Sequence, residues 1–461
     1  MIDSMAQPKN ILLSGFPDEE CKEFINQGFD VSVWIRAPHK KSSPAYDADL
    51  ETYLHSEVRA FDFAPIKDVQ IPAYLKKQLK ETTFDTFRRH FFRNNFLEYS
   101  NLRSWNNLDN CFFMAANFFY DLLLRKKIDF VIFSNVPHEG AFVILYGLAK
   151  LLDIPTVMFF QSNFPNRVWA MTDITDFGEF NTLRGHDLPL PLPKAPEQPF
   201  YMRFDIKKNY AKKYWKAVTL QRLKVFLMSI TAFALFDHNR YYRNLFRLHG
   251  VGDRYRLVSQ SAANQERVDL NLSYIYFPLG LQPEMTTDTI GLEYGDQLLA
   301  IEEISASLPN GMLLYVKENP KQTQHMRGES FFRRLSAMTN VRYIVEDFSS
   351  YELIRNAKCV AQVTGTAGYE AVLMGVPAIT FGATWYNKLY GVFPWKSKDT
   401  LEHAFAFSPD PEKLEVSFDQ LLRKSYIGLI DHNYKTLLDN YNSKEAITQS
   451  VSTIREIIDT Y

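Results

Sequence analysis

Short apolar runs that alternate with helical stretches fill two separate blocks of this chain, and they limit its fold more than any other feature. In the first block, runs rich in β-branched and aromatic residues are separated by segments with helical periodicity. They occupy residues 10–15, 29–35, 128–134 and 155–160. Unbroken apolar strands with helices between them are typical of a parallel sheet that is covered on both faces. The first block therefore predicts one doubly wound sheet.

A second block with the same alternation begins near residue 273. Its strand-like runs occupy residues 273–278, 312–316, 341–345, 359–363 and 377–381. A chain of 461 residues is too long for one hydrophobic core, so we expect each block to form its own domain. In open α/β sheets, ligands bind beyond the carboxyl ends of the strands. We therefore predict an α/β fold with two Rossmann-like domains that face a central cleft.

The predicted boundaries divide the chain into four parts. Residues 1–175 form the N-terminal Rossmann-like domain, and residues 265–410 form the C-terminal one. Residues 176–264 form a helical insertion or linker, because a proline-rich loop breaks the alternation there. Residues 411–461 are predicted to be helical throughout and to pack back across the domains.

Residues 207–248 of the insertion are helical in pattern, basic and aromatic. Alternating Lys, Arg, Tyr, Trp and Phe suit a pair of helices that lies on a membrane surface or docks an acceptor substrate. The same pattern fits an amphipathic helix whose apolar side packs on its own domain, and this is the favoured interpretation. Peripheral membrane association stays open as the alternative.

Composition argues against several classes of protein. The net charge of −1 lacks the basic excess of a protein built to bind nucleic acid. Cys21, Cys111 and Cys359 are far apart, so neither a disulfide framework nor a zinc site is predicted. The N-terminus lacks a secretory pattern, and the longest apolar stretch, residues 225–236, is shorter than the roughly 20 residues that cross a bilayer. We expect a cytoplasmic location, with the inner face of the membrane as the alternative.

The strongest motif, VTGTAGYEAVLMGVPAITFG, spans residues 363–382. A strand delivers Thr364, Gly365 and Thr366 into a tight turn, and a helix follows. Small residues let the backbone approach a ligand, and the helix N-terminus with two hydroxyl groups suits a phosphate. Glu370 lies one turn inside the helix, where it can accept hydrogen bonds from ribose hydroxyls. A capped helix, with Thr366 as the N-cap and Glu370 facing solvent, explains the same residues.

Two further motifs precede this turn. LLYVKENP at residues 313–320 is a strand that runs into Lys317, Asn319 and Pro320 at its carboxyl end. A lysine at that position can neutralise a diphosphate or a sugar carboxylate. YFPLGLQPE at residues 276–284 is another strand that ends in a polar loop. Together the three motifs predict a nucleotide site in the second block.

In order and spacing, these motifs resemble those of the bacterial capsule polysaccharide biosynthesis proteins, which include the β-Kdo transferases of capsule assembly. The matching segments are YFPLGLQPE at 276–284, LPNGMLLYVKENP at 308–320 and VTGTAGYEAVLMGVPAITFGATWY at 363–386. A looser match in the first block centres on residues 132–140 and 153–155. The resemblance implies a GT-B glycosyltransferase whose C-terminal domain holds a nucleotide-activated sugar.

In relatives of this kind that use CMP-sugars, a His-Pro pair and a Ser/Thr turn contact the nucleotide phosphate. Pro320, Thr364 and Thr366 stand at the matching positions, whereas Asn319 stands where the family has histidine. Asparagine can donate a hydrogen bond, but it carries no positive charge and cannot act as an acid. The resemblance favours CMP-Kdo or a related CMP-ulosonic acid as the donor, and Asn319 keeps a UDP-sugar open.

Candidate catalytic residues follow a buried strand of the first block. His138 and Glu139 follow residues 128–134, at the predicted rim of the cleft. A carboxylate there can deprotonate an acceptor hydroxyl or attack the anomeric carbon, and His138 can act as a base or an orienting residue. Alternatively, Glu139 caps the next helix and His138 only packs beside Pro137.

Gln161 and Arg167, after the next strand, are candidates for contacts with the acceptor. No Asp-x-Asp stands at a strand end, where it would bind Mg²⁺ together with a sugar nucleotide. We therefore predict no metal site, with Lys317, hydroxyl groups and the helix dipole stabilising the leaving nucleotide. No cofactor is expected, because the nucleotide sugar is itself a substrate.

The predicted function is transfer of a sugar from a nucleotide-activated donor to a surface-polysaccharide or glycolipid acceptor. Residues 1–175 would hold the acceptor, and residues 265–410 would hold the nucleotide sugar. A UDP-sugar-dependent transferase, a glycerol-phosphate polymerase and a sugar-nucleotide epimerase are alternatives with the same fold. A non-catalytic capsule-assembly protein that binds a nucleotide sugar or polysaccharide is the alternative from another class. No nucleic-acid partner is expected.

Overall fold

The structure is a computed structural model of the chain. It describes residues 10–37, 50–61, 70–95, 105–176, 190–194, 196, 268–322, 327–344, 348–437 and 442–459, with several residues between 223 and 262. Most of the predicted insertion at residues 176–264 therefore lies outside the described residues.

A seven-stranded sheet forms the N-terminal domain. Its strands are β1 (Ile11–Ser14), β2 (Val31–Arg36), β3 (Glu51–Leu54), β4 (Phe130–Phe133), β5 (Thr156–Gln161), β6 (Arg167–Met171) and β13 (Tyr426–Ile427). They lie in the order β13-β6-β5-β4-β1-β2-β3. The strands from β5 to β3 are parallel, and β6 is antiparallel to both of its neighbours. The central strands β1 and β4 are fully buried, as their unbroken apolar sequences predict.

Helices cover this sheet. They are α1 (Asp18–Asn26), α2 (His55–Ala60), α3 (Ala73–Asn95), α4 (Trp105–Arg125) and α5 (Gly140–Leu151). α5 is apolar along its length and packs against α3 and α4. A Cβ atom at Gly147 would lie 2.5 Å from Cγ2 of Thr83, so only glycine lets α3 and α5 approach this closely. The close contact fixes α3 over the region that follows β4.

Six parallel strands form the sheet of the C-terminal domain. They are β7 (Tyr274–Pro278), β8 (Leu313–Lys317), β9 (Val341–Ile344), β10 (Cys359–Gln362), β11 (Ala378–Thr380) and β12 (Val392–Pro394). Their order is β12-β11-β10-β7-β8-β9. The helices that follow α5 in the described chain are α6 (Met285–Asp288), α7 (Gln297–Ser307), α8 (Glu329–Ser336), α9 (Ser350–Asn356), α10 (Ala367–Leu373), α11 (Asp399–Phe405), α12 (Pro411–Leu422) and α13 (Ser443–Asp459).

The predicted fold class, two Rossmann-like α/β domains of the GT-B type, is confirmed by these two sheets. The strands β3, β6 and β12 are absent from the prediction because they are short or lie beside turns. The prediction that residues 411–461 are helical throughout is wrong at β13. Tyr426 and Ile427 pair with Val168 and Arg167 of β6 and so complete the edge of the N-terminal sheet.

The C-terminal segment covers the N-terminal domain through α13. Its buried side chains recur at helical spacing and form one apolar face. They are Ile447, Val451, Ile454, Ile457 and Ile458. α13 packs on α1, and the guanidinium of Arg455 lies 4.3 Å from the ring centroid of Phe29. The end of the chain therefore adds to the core of the domain that begins it.

An aromatic cluster joins the two domains. Trp169 of β6 stacks on Trp385 of the C-terminal domain, with ring centroids 5.1 Å apart. Phe164 meets both Tyr369 and Trp385 edge to face, at 6.1 and 5.5 Å. Aromatic pairs of this geometry stabilise an interface beyond the area that they bury. The relative position of the two domains is therefore held by packed side chains.

Four apolar side chains near residue 230 are about half exposed. Leu223, Phe226, Leu227 and Ile230 are helical and exposed. The interpretation that the helix of residues 207–248 packs its apolar side on its own domain falls mostly outside the described residues and stays a prediction. No helix within the described part of the chain is both long and apolar enough to span a bilayer.

Candidate active site

The strand order of the C-terminal sheet reverses beside β7. β8 and β9 extend the sheet on one side of β7, whereas β10, β11 and β12 extend it on the other. Such a reversal leaves a crevice at the carboxyl ends of the strands, which is where open α/β sheets bind ligands. All three predicted donor motifs end at this edge, after β7, β8 and β10. The fold therefore brings together segments that are far apart in the sequence.

Lys317 ends β8 at this edge. Its Nζ donates a hydrogen bond to Oγ of Ser350 at 3.2 Å, and Ser350 is the first residue of α9. The hydroxyl of Tyr276, in the neighbouring strand, donates to the same Oγ at 3.3 Å. Lys317 is only 5% exposed, so its ammonium group is held at the strand end rather than spread into solvent. A fixed, poorly hydrated cation of this kind suits a phosphate or carboxylate ligand.

The turn after β10 is tightly held. The carbonyl of Gly365 accepts hydrogen bonds from the side chains of Gln362 and Tyr386, and the hydroxyl of Thr364 donates to the carbonyl of Thr286. A Cβ atom at Gly365 would lie 2.9 Å from Oε1 of Gln362, so a larger residue would displace this bonding. The packing of the turn itself therefore requires a small residue at Gly365.

Glu370 lies inside α10 and is partly buried rather than solvent-facing. Its carboxylate accepts a hydrogen bond from the hydroxyl of Thr366 at 3.1 Å. Burial raises the pKa of Glu370, and the Thr366 hydrogen bond opposes this shift. Thr366 occupies the N-cap position, but its side chain caps no backbone group. The alternative of a side-chain-capped helix with a solvent-facing glutamate is therefore wrong.

Asn319 shapes the turn that follows β8. Its Oδ1 accepts a hydrogen bond from the backbone N–H of Lys321 at 3.0 Å, across Pro320. The backbone N–H of Asn319 donates to Oε1 of Glu318 at 2.8 Å. An asparagine that bonds two residues ahead stabilises a turn. The side-chain oxygen of Asn319 therefore stabilises the turn after β8.

A buried polar network lies beneath these loops and is absent from the sequence prediction. Nε of Arg327 is 3.0 Å from Oε2 of Glu318, and both side chains are almost fully buried. The same guanidinium donates to Oε1 of Gln282 at 2.7 Å and to the carbonyl of Gly280 at 2.8 Å. Arg327 therefore ties the loop after β8 to the loop after β7. In the sequence, the only indication of these loops is the polar residues that end the two motifs, Q-P-E at 282–284 and K-E at 317–318.

Glu139 follows β4 in the N-terminal domain and does not cap the helix that it precedes. It stands at the N-cap position of α5, but its side chain accepts no capping hydrogen bond. Its Oε1 lies 3.4 Å from Nη1 of Arg59, and its Oε2 lies 3.5 Å from Nε2 of His55. The capping alternative is therefore wrong, and the carboxylate faces two basic side chains of α2.

His55 is the partner of Glu139 that sequence reasoning missed. Its ring stacks on Phe142 of α5, with centroids 4.4 Å apart. Burial lowers the pKa of His55, and the nearby carboxylate of Glu139 partly offsets this shift. The lowered pKa favours the neutral ring, whose Nε2 lies 3.5 Å from the carboxylate. Only the fold brings α2 to the loop after β4.

His138 is oriented by the backbone. Its Nδ1 lies 2.7 Å from the carbonyl oxygen of Val136. Because a carbonyl can only accept, Nδ1 carries the proton, and Nε2 of the neutral ring is then an acceptor. The ring meets that of the buried His90 edge to face, with centroids 5.4 Å apart. His138 thus does more than pack beside Pro137.

Helix α3 links this cluster to the C-terminal domain. His90 of α3 contacts His138, and the preceding residue, Arg89, places Nη1 3.6 Å from Oδ1 of Asp288 in α6. The hydroxyl of Thr86 donates to the carbonyl of Asp288 at 3.4 Å. The Q-P-E loop leads into α6. One helix therefore connects the Glu139 region with the loops of the predicted donor site.

The pKa of Asp288 gives the stability of this contact a pH dependence. Burial raises its pKa to about 6 from 3.8, although hydrogen bonds from Gln282 and from the backbone N–H of Glu284 oppose the shift. Ionisation of Asp288 therefore costs folding free energy above pH 6, and this cost diminishes as the pH falls towards 4.

Between pH 7.5 and 5 we expect wild type to gain roughly 1 kcal/mol of unfolding free energy relative to the variant Asp288→Asn. Urea denaturation of both proteins at the two pH values measures this difference. A difference between the two proteins that is the same at both pH values would contradict the assignment.

Gln161 and Arg167 lie at the edge where the C-terminal segment joins the N-terminal sheet. Oε1 of Gln161 accepts from the backbone N–H groups of Ile430 and Asp431 at 2.8 and 3.0 Å. Arg167 is buried, with Nη1 3.5 Å from Oγ of Ser425. These contacts give both residues a structural role, and their predicted contact with an acceptor stays a prediction. No group of three or more His, Cys, Asp or Glu within the described ranges could hold a metal ion.

Two Rossmann-like sheets with polar strand ends, joined through α3, define a two-domain α/β protein of the GT-B type. The chain matches the family model described as "Capsule polysaccharide biosynthesis protein" over residues 210–429. The three motifs of the C-terminal half all lie within that range. The resemblance to this family that they predicted is confirmed. No curated protein sequence matches the chain.

Solved structures that are similar to the chain include enzymes that act on activated sugars. One is Thermosulfurimonas dismutans KpsC, beta Kdo 2,4 transferase, with 11% identity, 66% of this chain and 85% of that chain covered, and a TM-score of 0.31. UDP-GlcNAc 2-epimerase from Methanocaldococcus jannaschii, in complex with UDP-GlcNAc and UDP, is 14% identical. The match covers 90% of this chain and 98% of that chain, with a TM-score of 0.25. An alpha,alpha-trehalose-phosphate synthase (UDP-forming) from Burkholderia vietnamiensis is 8% identical. The match covers 97% of this chain and 98% of that chain, with a TM-score of 0.30. The fold assignment rests on the two sheets.

Proposed function

We propose that the protein is a GT-B glycosyltransferase that moves a sugar from a nucleotide-activated donor to a surface-polysaccharide or glycolipid acceptor. The observation that carries the proposal is the pair of half-sites linked by α3. On one side, Lys317 stands at the end of β8 and Glu370 lies inside α10, the helix that follows β10. On the other side, Glu139 presents a carboxylate that is not used for capping.

The donor half-site recognises the nucleotide. The ammonium of Lys317 pairs with a phosphate oxygen or a sugar carboxylate, and the turn at Thr364, Gly365 and Thr366 brings backbone and hydroxyl groups close to the same ligand. Glu370 accepts hydrogen bonds from ribose hydroxyls. Burial raises the pKa of this carboxyl group. In this proposal the leaving nucleotide is stabilised without a metal and without a cofactor.

CMP-Kdo or a related CMP-ulosonic acid is the favoured donor, because the motifs match the capsule family at Pro320, Thr364 and Thr366. Asn319 supplies no positive charge at the place of the family histidine, and its oxygen holds the turn to Lys321. This observation supports the second candidate, a UDP-sugar-dependent transferase of the same fold. It also supports the alternative that the protein is non-catalytic and binds nucleotide sugars without turnover.

The acceptor half-site supplies the reacting carboxylate. Glu139 either removes the proton from the acceptor hydroxyl or attacks the anomeric carbon in a retaining mechanism. Arg59 and His55, whose nitrogen atoms lie 3.4 and 3.5 Å from its oxygen atoms, hold the carboxylate in one orientation. His138, with Nε2 as an acceptor, lies on the neighbouring residue and orients the acceptor sugar.

A thermal-shift panel of CMP, CDP, UDP, GDP and dTDP tests the donor. A ligand that binds only the folded state raises the melting temperature by mass action, so the preferred base produces the largest shift. Release of free nucleotide from the matching sugar nucleotide then separates an enzyme from a binding protein. The proposal fails if no nucleotide stabilises the protein, or if the bound sugar nucleotide is never turned over with or without acceptor.

Replacing Lys317 by methionine should weaken nucleotide binding. A hydrogen bond to a charged group contributes about 1.5–3 kcal/mol, which corresponds to a ten- to hundredfold loss of affinity. Isothermal titration with the nucleotide identified in the panel measures the change. The control is Lys358→Met, which removes an exposed lysine of the same domain and should leave affinity unchanged. Equal affinities for the two variants would remove Lys317 from the donor site.

A further inference from the structure

Ser350 lies where two neighbouring strands of the proposed donor site end. It is the first residue of α9, and its Oγ accepts a hydrogen bond from Nζ of Lys317 at 3.2 Å. The hydroxyl of Tyr276 donates to the same oxygen at 3.3 Å. Lys317 ends β8, and Tyr276 belongs to β7, which pairs with β8. Tyr276 and Lys317 are buried, whereas Ser350 is partly exposed and can be reached by a ligand.

These two hydrogen bonds leave the proton of Ser350 with no acceptor in the described part of the chain. A serine oxygen has two lone pairs and carries one proton, and an ammonium group can only donate, so Lys317 occupies one lone pair. Tyr276 occupies the other. Burial raises the pKa of Tyr276, and the carboxylate of Glu370 adds to this shift, so its hydroxyl keeps the proton that it donates. The O–H group of Ser350 is therefore available to a ligand.

The start of α9 also lies close to Glu370. Tyr351, the residue after Ser350, packs against the same buried cluster as Ala367, the first residue of α10. Burial raises the pKa of Tyr351 to about 12, and the carboxylate of Glu370 adds to this shift. Ser350 and Tyr351 therefore border both Lys317 and Glu370, the two residues that the proposed donor half-site uses.

We propose that Ser350 is a further donor-binding residue, whose hydroxyl donates to the phosphate oxygen or sugar carboxylate that pairs with Lys317. The inference rests on the proposed function, because it needs an anionic ligand at Lys317. Neighbouring donors then meet one anionic group, and hydrogen bonds to an ionised acceptor are stronger than those between neutral groups. Lys317 supplies the charge, and Ser350 supplies a donor whose oxygen is held by two hydrogen bonds.

Two structural roles explain less of this geometry. Ser350 does not cap α9, because the preceding residue, Ser349, is the N-cap and its side chain accepts from the backbone N–H of Glu352 at 3.3 Å. A role that only holds the ammonium of Lys317 in place leaves the proton of Ser350 unused. Ser349→Ala is a matched control, because it weakens the same helix and keeps the hydroxyl of Ser350.

Isothermal titration of the full chain with CMP, UDP, cytidine and uridine tests the proposal. The two nucleosides have the same base and ribose as the nucleotides but no phosphate. The single variants are Ser350→Ala, Ser350→Thr and the control Ser349→Ala. Lys317→Met is compared with the double variant Lys317→Met with Ser350→Ala. Thermal melting of each protein verifies folding.

We expect wild type to bind CMP or UDP more tightly than the matching nucleoside. Ser350→Ala should lower the affinity for that nucleotide about tenfold, because it removes a hydrogen bond to a charged group, and should leave nucleoside affinity unchanged. Ser350→Thr keeps the hydroxyl and Ser349→Ala does not touch it, so both should bind as wild type does. In the Lys317→Met background, Ser350→Ala should lower the affinity further, by at least about threefold.

Equal nucleotide affinities for Ser350→Ala and wild type would overturn the proposal. So would an equal loss in Ser349→Ala, which would assign the effect to a weakened helix. If the effect of Ser350→Ala disappears in the Lys317→Met background, Ser350 only holds the lysine and direct contact with the ligand is refuted. These three results leave the proposed function standing, whereas a wild type that binds neither CMP nor UDP overturns the donor assignment together with this inference.

Discussion

Glu139→Gln should abolish sugar transfer while leaving donor affinity intact. Glutamine keeps the size and hydrogen-bonding reach of the side chain, but it can neither accept a proton at neutral pH nor attack the anomeric carbon. A general base contributes about 10²–10⁴-fold, so we expect the transfer rate to fall at least about 100-fold. The measurement is transfer rate and nucleotide affinity on the same preparation of protein.

The structure makes this a sharp test because Glu139 has no capping bond to lose. Its side chain contacts Arg59 and His55 rather than the N-terminus of α5, so the variant should not weaken the helix. Glu402→Gln, at an exposed position of α11, is the matched control and should transfer at the wild-type rate. His138→Gln should reduce transfer less than Glu139→Gln. Near-normal turnover in Glu139→Gln would move the catalytic role to His138 or to another carboxylate.

Much of the fold could be predicted because its strands carry the signal within themselves. β1, β4 and β7 are runs of buried apolar residues, and a central strand of a parallel sheet needs little else. β13 has no such signal, because two residues form a strand only when β6 lies beside them. A strand this short depends on its tertiary partner, and periodicity alone does not reveal it.

The residues of the candidate site also fall into two groups: those that a local motif predicts and those that depend on tertiary contacts. Lys317, Thr364 and Glu370 were predicted because each stands in a motif at a strand end, where the chain direction alone fixes the location. His55 was missed because it stands 84 residues before Glu139, on a helix whose contact with the β4 loop depends on the fold. Arg327 was missed because a lone arginine after a loop looks like a surface residue. Only burial distinguishes an arginine such as Arg327 from a surface arginine, and burial is a property of the whole fold.

Arg327→Met should produce the largest loss of stability among the substitutions considered for the C-terminal domain. The guanidinium is fully buried and bonds Glu318, Gln282 and the carbonyl of Gly280. Methionine fills a similar volume, but it leaves the carboxylate of Glu318 buried with its cation removed. Breaking a buried pair on one side costs about 3–5 kcal/mol, because the remaining charge loses its paired cation. Urea denaturation measures the loss.

Two further proteins decide whether the buried charge is the cause. Arg333→Met removes one side of an exposed pair with Glu329 on α8, where the expected loss is at most about 0.5 kcal/mol. The double variant Glu318→Gln with Arg327→Met should recover part of the loss, since it removes the buried negative charge as well as the cation. Tyr343, which donates to Glu318 at 3.2 Å, can still donate to the glutamine oxygen. If Arg327→Met loses no more stability than Arg333→Met, the network does not hold the two loops together, and another contact must position the donor half-site.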